Sequence, residues 1–186
     1  MGGGTSFRRF PTFVLKNKNV IGCNTAYTLG EDVVDLVFFG DEKWWNYHRA
    51  NLQQFKNPII TNHPNLKDVS GVTWCPRSKD GFHRHSIGWN GNTGAAAINL
   101  ALLLGAQRIL LLGYDMELDP DGGSNWYPTT YTPATAEHYQ LYSQSLEKHV
   151  CDIEQKWPNV SILNLNPQSK LEVFEKCYWN DIFFGQ

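Results

Sequence analysis

The sequence predicts an α/β domain built on an open, mostly parallel sheet with helices on both faces. Three observations carry that prediction. Residues 90–115 join an almost wholly apolar helix to a short unbroken apolar strand, as expected where both faces of a sheet are covered. Short apolar runs elsewhere end in polar residues. A length of 186 residues with 41% hydrophobic and 18% charged content fits one globular domain, residues 1–186, able to bury its own core.

The chain opens Met-Gly-Gly-Gly-Thr-Ser-Phe. A glycine cluster followed by hydroxyl residues can wrap backbone amides around a phosphate. The same letters fit a myristoylation pattern with Gly2 and Ser6 in place, and an unstructured terminus. Phosphate loops of this kind follow a strand, and only Met1 stands ahead of Gly2. Either the start codon is placed too late, or the sheet lacks its usual first strand.

Residues 19–23, with Val20 and Ile21, read as a short buried strand ending at Asn24. Residues 33–39 form a stronger strand ending at Gly40 and Asp41. A short helix carrying Trp44, Trp45 and Tyr47 then runs to about residue 55 and docks its aromatics on the sheet. Residues 58–61 make another strand, turned by Asn62, His63 and Pro64. From 69 to 89 no period is visible. That stretch carries Arg77, Lys79, His83, Arg84 and His85, cations suited to clamp an anionic ligand and equally typical of a surface loop. His83 and His85 with Cys75 lack the spacing of a metal site.

Asn92 or Thr93 caps the next helix, Gly94 leaves its first turn open, and Ile98, Ala101 and Leu102 fall at helical spacing. Gly105 suits the left-handed position that ends it. Residues 109–112 are the following strand, which delivers Gly113, Tyr114 and Asp115 to the carboxyl edge where open α/β sheets bind ligands. Free amides and the helix dipole at residues 92–94 favour a phosphate, while Asp115 can hold a hydroxyl or a metal. Equally, any buried helix needs a cap, and Gly94 eases packing. Glu117, Asp119, Asp121 and Gly122 then imitate the front of a calcium loop, but Pro128 occupies the place of the closing Glu, which leaves a mobile acidic loop over the site. A long polar helix over 134–156, a strand over 160–163 and a short helix containing 171–174 complete the chain.

Composition excludes several classes. A net charge of −2 gives no basic field for duplex nucleic acid. No run is long enough to span a membrane and no secretory signal is present, so a cytoplasmic protein is expected. Cys23, Cys75, Cys151 and Cys177 form no CxxC pair and are expected to be reduced. Seven Trp suit sugar or base stacking as well as core filling.

Taken in order, five pieces resemble a known family: Gly2-Gly3-Gly4-Thr5-Ser6-Phe7, Cys23-Asn24, Val37-Phe38-Phe39-Gly40-Asp41, Asn92-Thr93-Gly94 with its apolar helix, and Gly113-Tyr114-Asp115. Glu137-His138 with Tyr142 adds a sixth. The family is Rossmann-like and joins bacterial CMP-sialic-acid-dependent sialyltransferases of lipooligosaccharide synthesis to the archaeal 6-hydroxymethylpterin diphosphokinase group and many phage relatives. The resemblance implies that Gly3, Gly4 and Ser6 approach a nucleotide phosphate and Asn24 the nucleotide sugar or base. It implies that Asn92, Thr93 and Gly94 bind phosphate or carboxylate, that Asp115 holds a ribose hydroxyl, and that His138 takes the acceptor proton, a task suited to an imidazole pKa of about 6.5.

The chain also departs from the family. Thr5 replaces a proline of the glycine loop. Glu117 replaces an aromatic residue, so the phenol assisting the leaving phosphate must be Tyr127 or Tyr131. Asp41 stands beside the position of an asparagine and leans toward the magnesium-using diphosphokinases. The resemblance therefore implies first a glycosyltransferase with a CMP-type nucleotide-sugar donor, a glycan acceptor and no required cofactor, with Trp44, Trp45, Trp89 and Trp126 framing the sugars. Next come a magnesium-dependent nucleotide phosphotransferase and a non-catalytic nucleotide-binding phage protein. No nucleic-acid partner is expected, and a homo-oligomer is left open.

Overall fold

A computed structural model describes residues 1–128 and 133–185. Strands β1 (Ile21–Cys23), β2 (Leu36–Phe39), β3 (Ile59–Thr61) and β4 (Thr73–Trp74) pair in that order, and β5 (Arg77–Ser78) pairs with β6 (Ile87–Gly88). A third sheet holds β7 (Arg108–Leu111), β8 (Ser161–Asn164) and β9 (Glu175–Lys176). Every pairing is parallel. The fold is Rossmann-like α/β.

Residues 1–4 join the first sheet to the third. The Met1 carbonyl accepts from the Cys23 amide at 3.0 Å, while the Gly2 amide donates to the Leu112 carbonyl at 2.7 Å and the Gly4 amide to the Gly113 carbonyl at 2.8 Å. The spatial order is thus β4-β3-β2-β1, residues 1–4, β7-β8-β9. The place of a central first strand is held by a four-residue extended stretch, and chain order reverses there, which makes it the topological switch point.

Helix α1 (Glu42–Leu52) starts at Asp41, whose side chain accepts from the Lys43 and Trp44 amides, and buries Trp44, His48 and Leu52. Helix α2 (Thr93–Leu103) is apolar all round because it lies between the sheet and other layers; Ala95, Ala96, Ala97, Ile98, Leu100 and Leu102 are all buried. Helix α3 (Ala136–Lys156) buries only Leu146 and Ile153, so one narrow stripe holds it. Strand β2 has Val37, Phe38 and Phe39 each 0% exposed, an unbroken run as a strand covered on both faces requires.

Several expectations are corrected. Residues 171–174 are not helical: Leu171 and Phe174 are buried plugs at the sheet end, followed by β9, and the closing helix is α4 (Trp179–Phe184). Their three-residue spacing came from a loop burying two side chains. Residues 69–89 contain β4, β5 and β6, too short to show a period. They are fastened from outside, where the buried Asn99 amide accepts from the His83 and Gly88 amides and donates to the His83 carbonyl. The acidic stretch after Asp115 is tied down. Asp119 accepts from the Gly123 and Asp121 amides and pairs with Arg8 at 2.8 Å. All four cysteines are free. Among the described residues no helix is long and apolar enough to cross a membrane.

Candidate functional site

The carboxyl ends of β1, β2 and β7, the 1–4 stretch and the start of α2 open on one cleft of about 250 Å³ at the switch point. Gly3, Gly4, Asn24, Asp41, Asn92, Thr93, Gly94 and Asp115 all line it, together with Tyr127. Tyr131 lies outside the described residues.

The glycine loop is folded tightly against the end of β7. A Cβ on Gly4 would stand 2.5 Å from the Asp115 carboxylate, and one on Gly3 2.5 Å from Asn125 Oδ1. Gly113 has φ +69 and lies within 3.1 Å of loop backbone where its own Cβ would go. Asp115, 5% exposed, clamps the loop. It accepts from the Ser6 amide at 2.8 Å, from the Ser6 hydroxyl and from Asn166 Nδ2 at 3.0 Å. Ser6 is thus turned to Asp115, and a ribose hydroxyl at Asp115 competes with donors already in place.

The amides at the helix start are also partly spent. Asn92 is the cap, and its Oδ1 accepts from Gly94 at 2.6 Å and Ala95 at 3.4 Å. Thr93 lines the cleft with its amide outside those bonds. Tyr114 donates to the Gly94 carbonyl at 3.0 Å; burial pushes its phenol well above the ordinary range, so it remains a donor. Asp41 Oδ1 caps α1. Asn24 is different. It adopts a left-handed backbone with φ 52, and its buried Oδ1 has no hydrogen-bond partner among the described residues. An unmet acceptor on a cleft wall is a place for a ligand donor.

The opposite wall belongs to α3. Tyr139 and Tyr142 line the cleft, and burial raises both phenols, Tyr139 to about 12. Tyr139 donates to the Ser124 carbonyl at 2.6 Å. His138 does not line the cleft; its ring stacks on Tyr142 with centroids 6.2 Å apart. Its Nδ1 accepts from the Thr135 amide at 3.1 Å in a reciprocal capping box. An accepting Nδ1 is unprotonated, so the neutral ring carries its proton on Nε2 and presents a donor to the outside. Sequence reasoning used Tyr142 only as a marker and passed over Tyr139. Their spacing of three and their place beside His138 on one helix were the available signal.

The cations of 77–85 do not reach the cleft. Arg77 bonds the Gly40 carbonyl and both Asn62 oxygens and lies 4.2 Å over the Trp89 ring. Arg84 bonds the Lys156 carbonyl, and His83 contacts the Lys79 and Asp80 carbonyls. Among the described lining residues the only charges are the carboxylates of Asp41 and Asp115. Trp44 and Trp89 line the cleft, whereas Trp45 stacks on Phe39 and Trp126 packs on Phe7. Among the described residues no three His, Cys, Asp or Glu side chains come together as a metal site. No protein-family model, curated protein or solved structure matches the chain.

Proposed function

We propose that the cleft binds a nucleotide-linked sugar and that the protein transfers its glycosyl group to a hydroxyl acceptor. One observation carries the reading: a close-packed glycine loop, a helix start and a strand end converge at the switch point, with the unpartnered Asn24 oxygen among them. No cationic side chain among the described residues lines the cleft, so a phosphate there is held by backbone amides and the α2 dipole.

In this reading the acceptor oxygen attacks the anomeric carbon, the bond to the nucleoside phosphate breaks, and that phosphate leaves toward Thr93. Phenol groups of Tyr127 and Tyr142 on the cleft wall donate to the departing oxygens. His138, which stacks on Tyr142 outside the cleft lining, takes the acceptor proton at Nδ1, which requires its ring to turn into the cleft and exchange the bond with the Thr135 amide for one with the acceptor. Trp44 and Trp89 supply flat apolar surface for the sugar.

A second reading, magnesium-dependent phosphotransfer, is favoured by the two carboxylates in a cleft without cations. Asp41 and Asp115 would be the metal's protein ligands. Both already serve as caps or clamps, which ranks this reading lower. Thermal shift with CMP, UDP and ATP, each with and without magnesium, separates the two. Saturation at a hundred times Kd adds about 2.7 kcal/mol to stability. A response to CMP or UDP without metal supports glycosyl transfer, a response to ATP only with magnesium supports the second reading, and no response leaves a fold without nucleotide chemistry.

A further inference from the structure

A larger cavity, of about 830 Å³, lies at the amino edge of the sheet, opposite the cleft. Ile21 on β1 forms one side and residues 108–112 on β7 the other, with Ala97, Ile98 and Ala101 of α2 across the top. It is a slot between two parallel strands.

The ladders show which backbone groups face it. Alternate residues of a parallel strand turn their N–H and C=O groups to opposite sides. The Gln107 and Leu111 carbonyls accept from Ser161 and Leu165 on the β8 side, so Arg108, Leu110 and Leu112 face the slot. Leu112 there receives the Gly2 amide. On β1, the Val20 carbonyl accepts from Leu36 toward β2, so Ile21 and Cys23 face the other way. Cys23 bonds Met1, and the Ile21 carbonyl accepts from the Met1 ammonium at 2.8 Å. Residues 1–4 are thus bonded on both sides, which holds β1 and β7 two strand spacings apart, roughly 9.5 Å. Beyond Met1 the slot runs on between Ile21 of β1 and residues 108–112 of β7.

We propose that this slot seats a further parallel strand of about five residues, joined to the Met1 nitrogen, that completes the centre of the sheet and feeds the glycine loop. Two features select this occupant. The groups facing the slot are main-chain donors and acceptors in strand register, which an extended peptide meets and a compact apolar ligand does not. Its walls at Ile98, Ala101, Leu110 and Phe183 are apolar, as a central strand covered on both faces requires.

The test compares the chain as it stands with two fusions ahead of Met1, one of five alternating Val and Ile residues and one of five Gly and Ser residues. The apolar fusion is expected to raise Tm by roughly 5 °C or more over the polar one. Hydrogen exchange at the Ile21, Leu110 and Leu112 amides is expected to slow by about tenfold or more as those bonds form. Equal Tm and exchange in the two fusions overturn the proposal. So does protection of those amides by the free Val-Ile peptide or by raised concentration of the unfused chain when the fusion gives none; these mark a partner strand or a second copy. Should the apolar fusion fail to fold, Ala101→Leu in the other two proteins decides. Slot-filling stabilises both if the slot is empty in them, and destabilisation of both overturns the proposal. None of these readouts involves a nucleotide, so the outcome is independent of the reading of the cleft.

Discussion

The two walls of the cleft are built by different means. One wall, residues 2–4 with the ends of β1 and β7 and the start of α2, is backbone held by backbone; Asp115 is committed to Ser6 and Asn166 and Asn92 to its own helix, and Asn24 keeps an oxygen without a partner among the described residues. The other is a row of side chains on α3, a long helix that buries only Leu146 and Ile153. The first wall has its shape before any ligand arrives. The second carries phenols, Tyr139 bonded to the Ser124 carbonyl and Tyr142 beside it on the lining, and in the proposed reading that is where a bound ligand exchanges protons. Under the proposed glycosyl transfer the difference implies that binding and proton handling are separable by mutation, with binding on the glycine wall and proton handling on the helical wall.

His138→Gln is the sharpest attempt to break that separation. Glutamine at the third helical position still reaches back to the Thr135 amide, so the cap survives while the base is lost. Nucleotide affinity and Tm are expected to be unchanged, and transfer, measured by release of nucleoside phosphate, to fall by about 10²- to 10⁴-fold. The pH profile sharpens the test. The tyrosines, raised by burial, remain protonated donors well into alkaline solution, so transfer is expected to show no alkaline loss from their ionisation near neutral pH. Normal turnover in the variant would remove His138 from the mechanism.

Asn24→Gly probes the other wall with a smaller effect. Glycine accepts φ 52 without strain, so the backbone is kept and only the unpartnered oxygen goes. Affinity for the nucleotide, read by calorimetry, is expected to fall about tenfold, equivalent to about 1.4 kcal/mol. Tm should hold, because no hydrogen bond of the unliganded protein is removed at that oxygen. A loss of Tm without loss of affinity would make Asn24 a structural residue and return the glycine wall to mere packing.

How much of this was legible in the sequence follows the same division. The glycine wall showed itself because its signals are local: Asn92 ahead of an apolar run, Gly113 after a strand, Gly3 and Gly4 where only glycine fits. The competing use of those groups was not legible. That Asp115 is clamped by Ser6 and Asn166 depends on contacts across 109 and 51 residues of chain. Strands β5 and β6 were hidden for a different reason: each is two residues long, and the region is held by the Asn90 and Asn99 side chains, whose role no periodicity announces. The cations at 77–85 misled because charge in a loop says nothing of where its carbonyl partners lie. The helical wall was half visible, through Tyr142 one turn after His138, whose own ring stays off the lining, and Tyr139 was missed because it reads as helix filler.

The smallest expected effect asks whether the walls are one unit or two. Thr135→Ala removes the hydroxyl that accepts from the His138 amide and faces Nδ1, which opens the first turn of α3. Loss of such a cap costs about 1 kcal/mol. In a chain of this length that lowers Tm by about 2–4 °C. If the walls are separate, amide exchange should quicken over the first turn of α3 and stay unchanged at Gly4, Ser6 and Gly94, because their bonds run to Gly113, Asp115 and Asn92 and none to α3. Among the described residues Tyr139 offers a hydrogen-bonded link that can carry the change across, through its bond to the Ser124 carbonyl beside Asn125. Faster exchange at Gly4 would therefore trace coupling through that phenol, and the double variant with Tyr139→Phe would then show less than the sum of the two single effects.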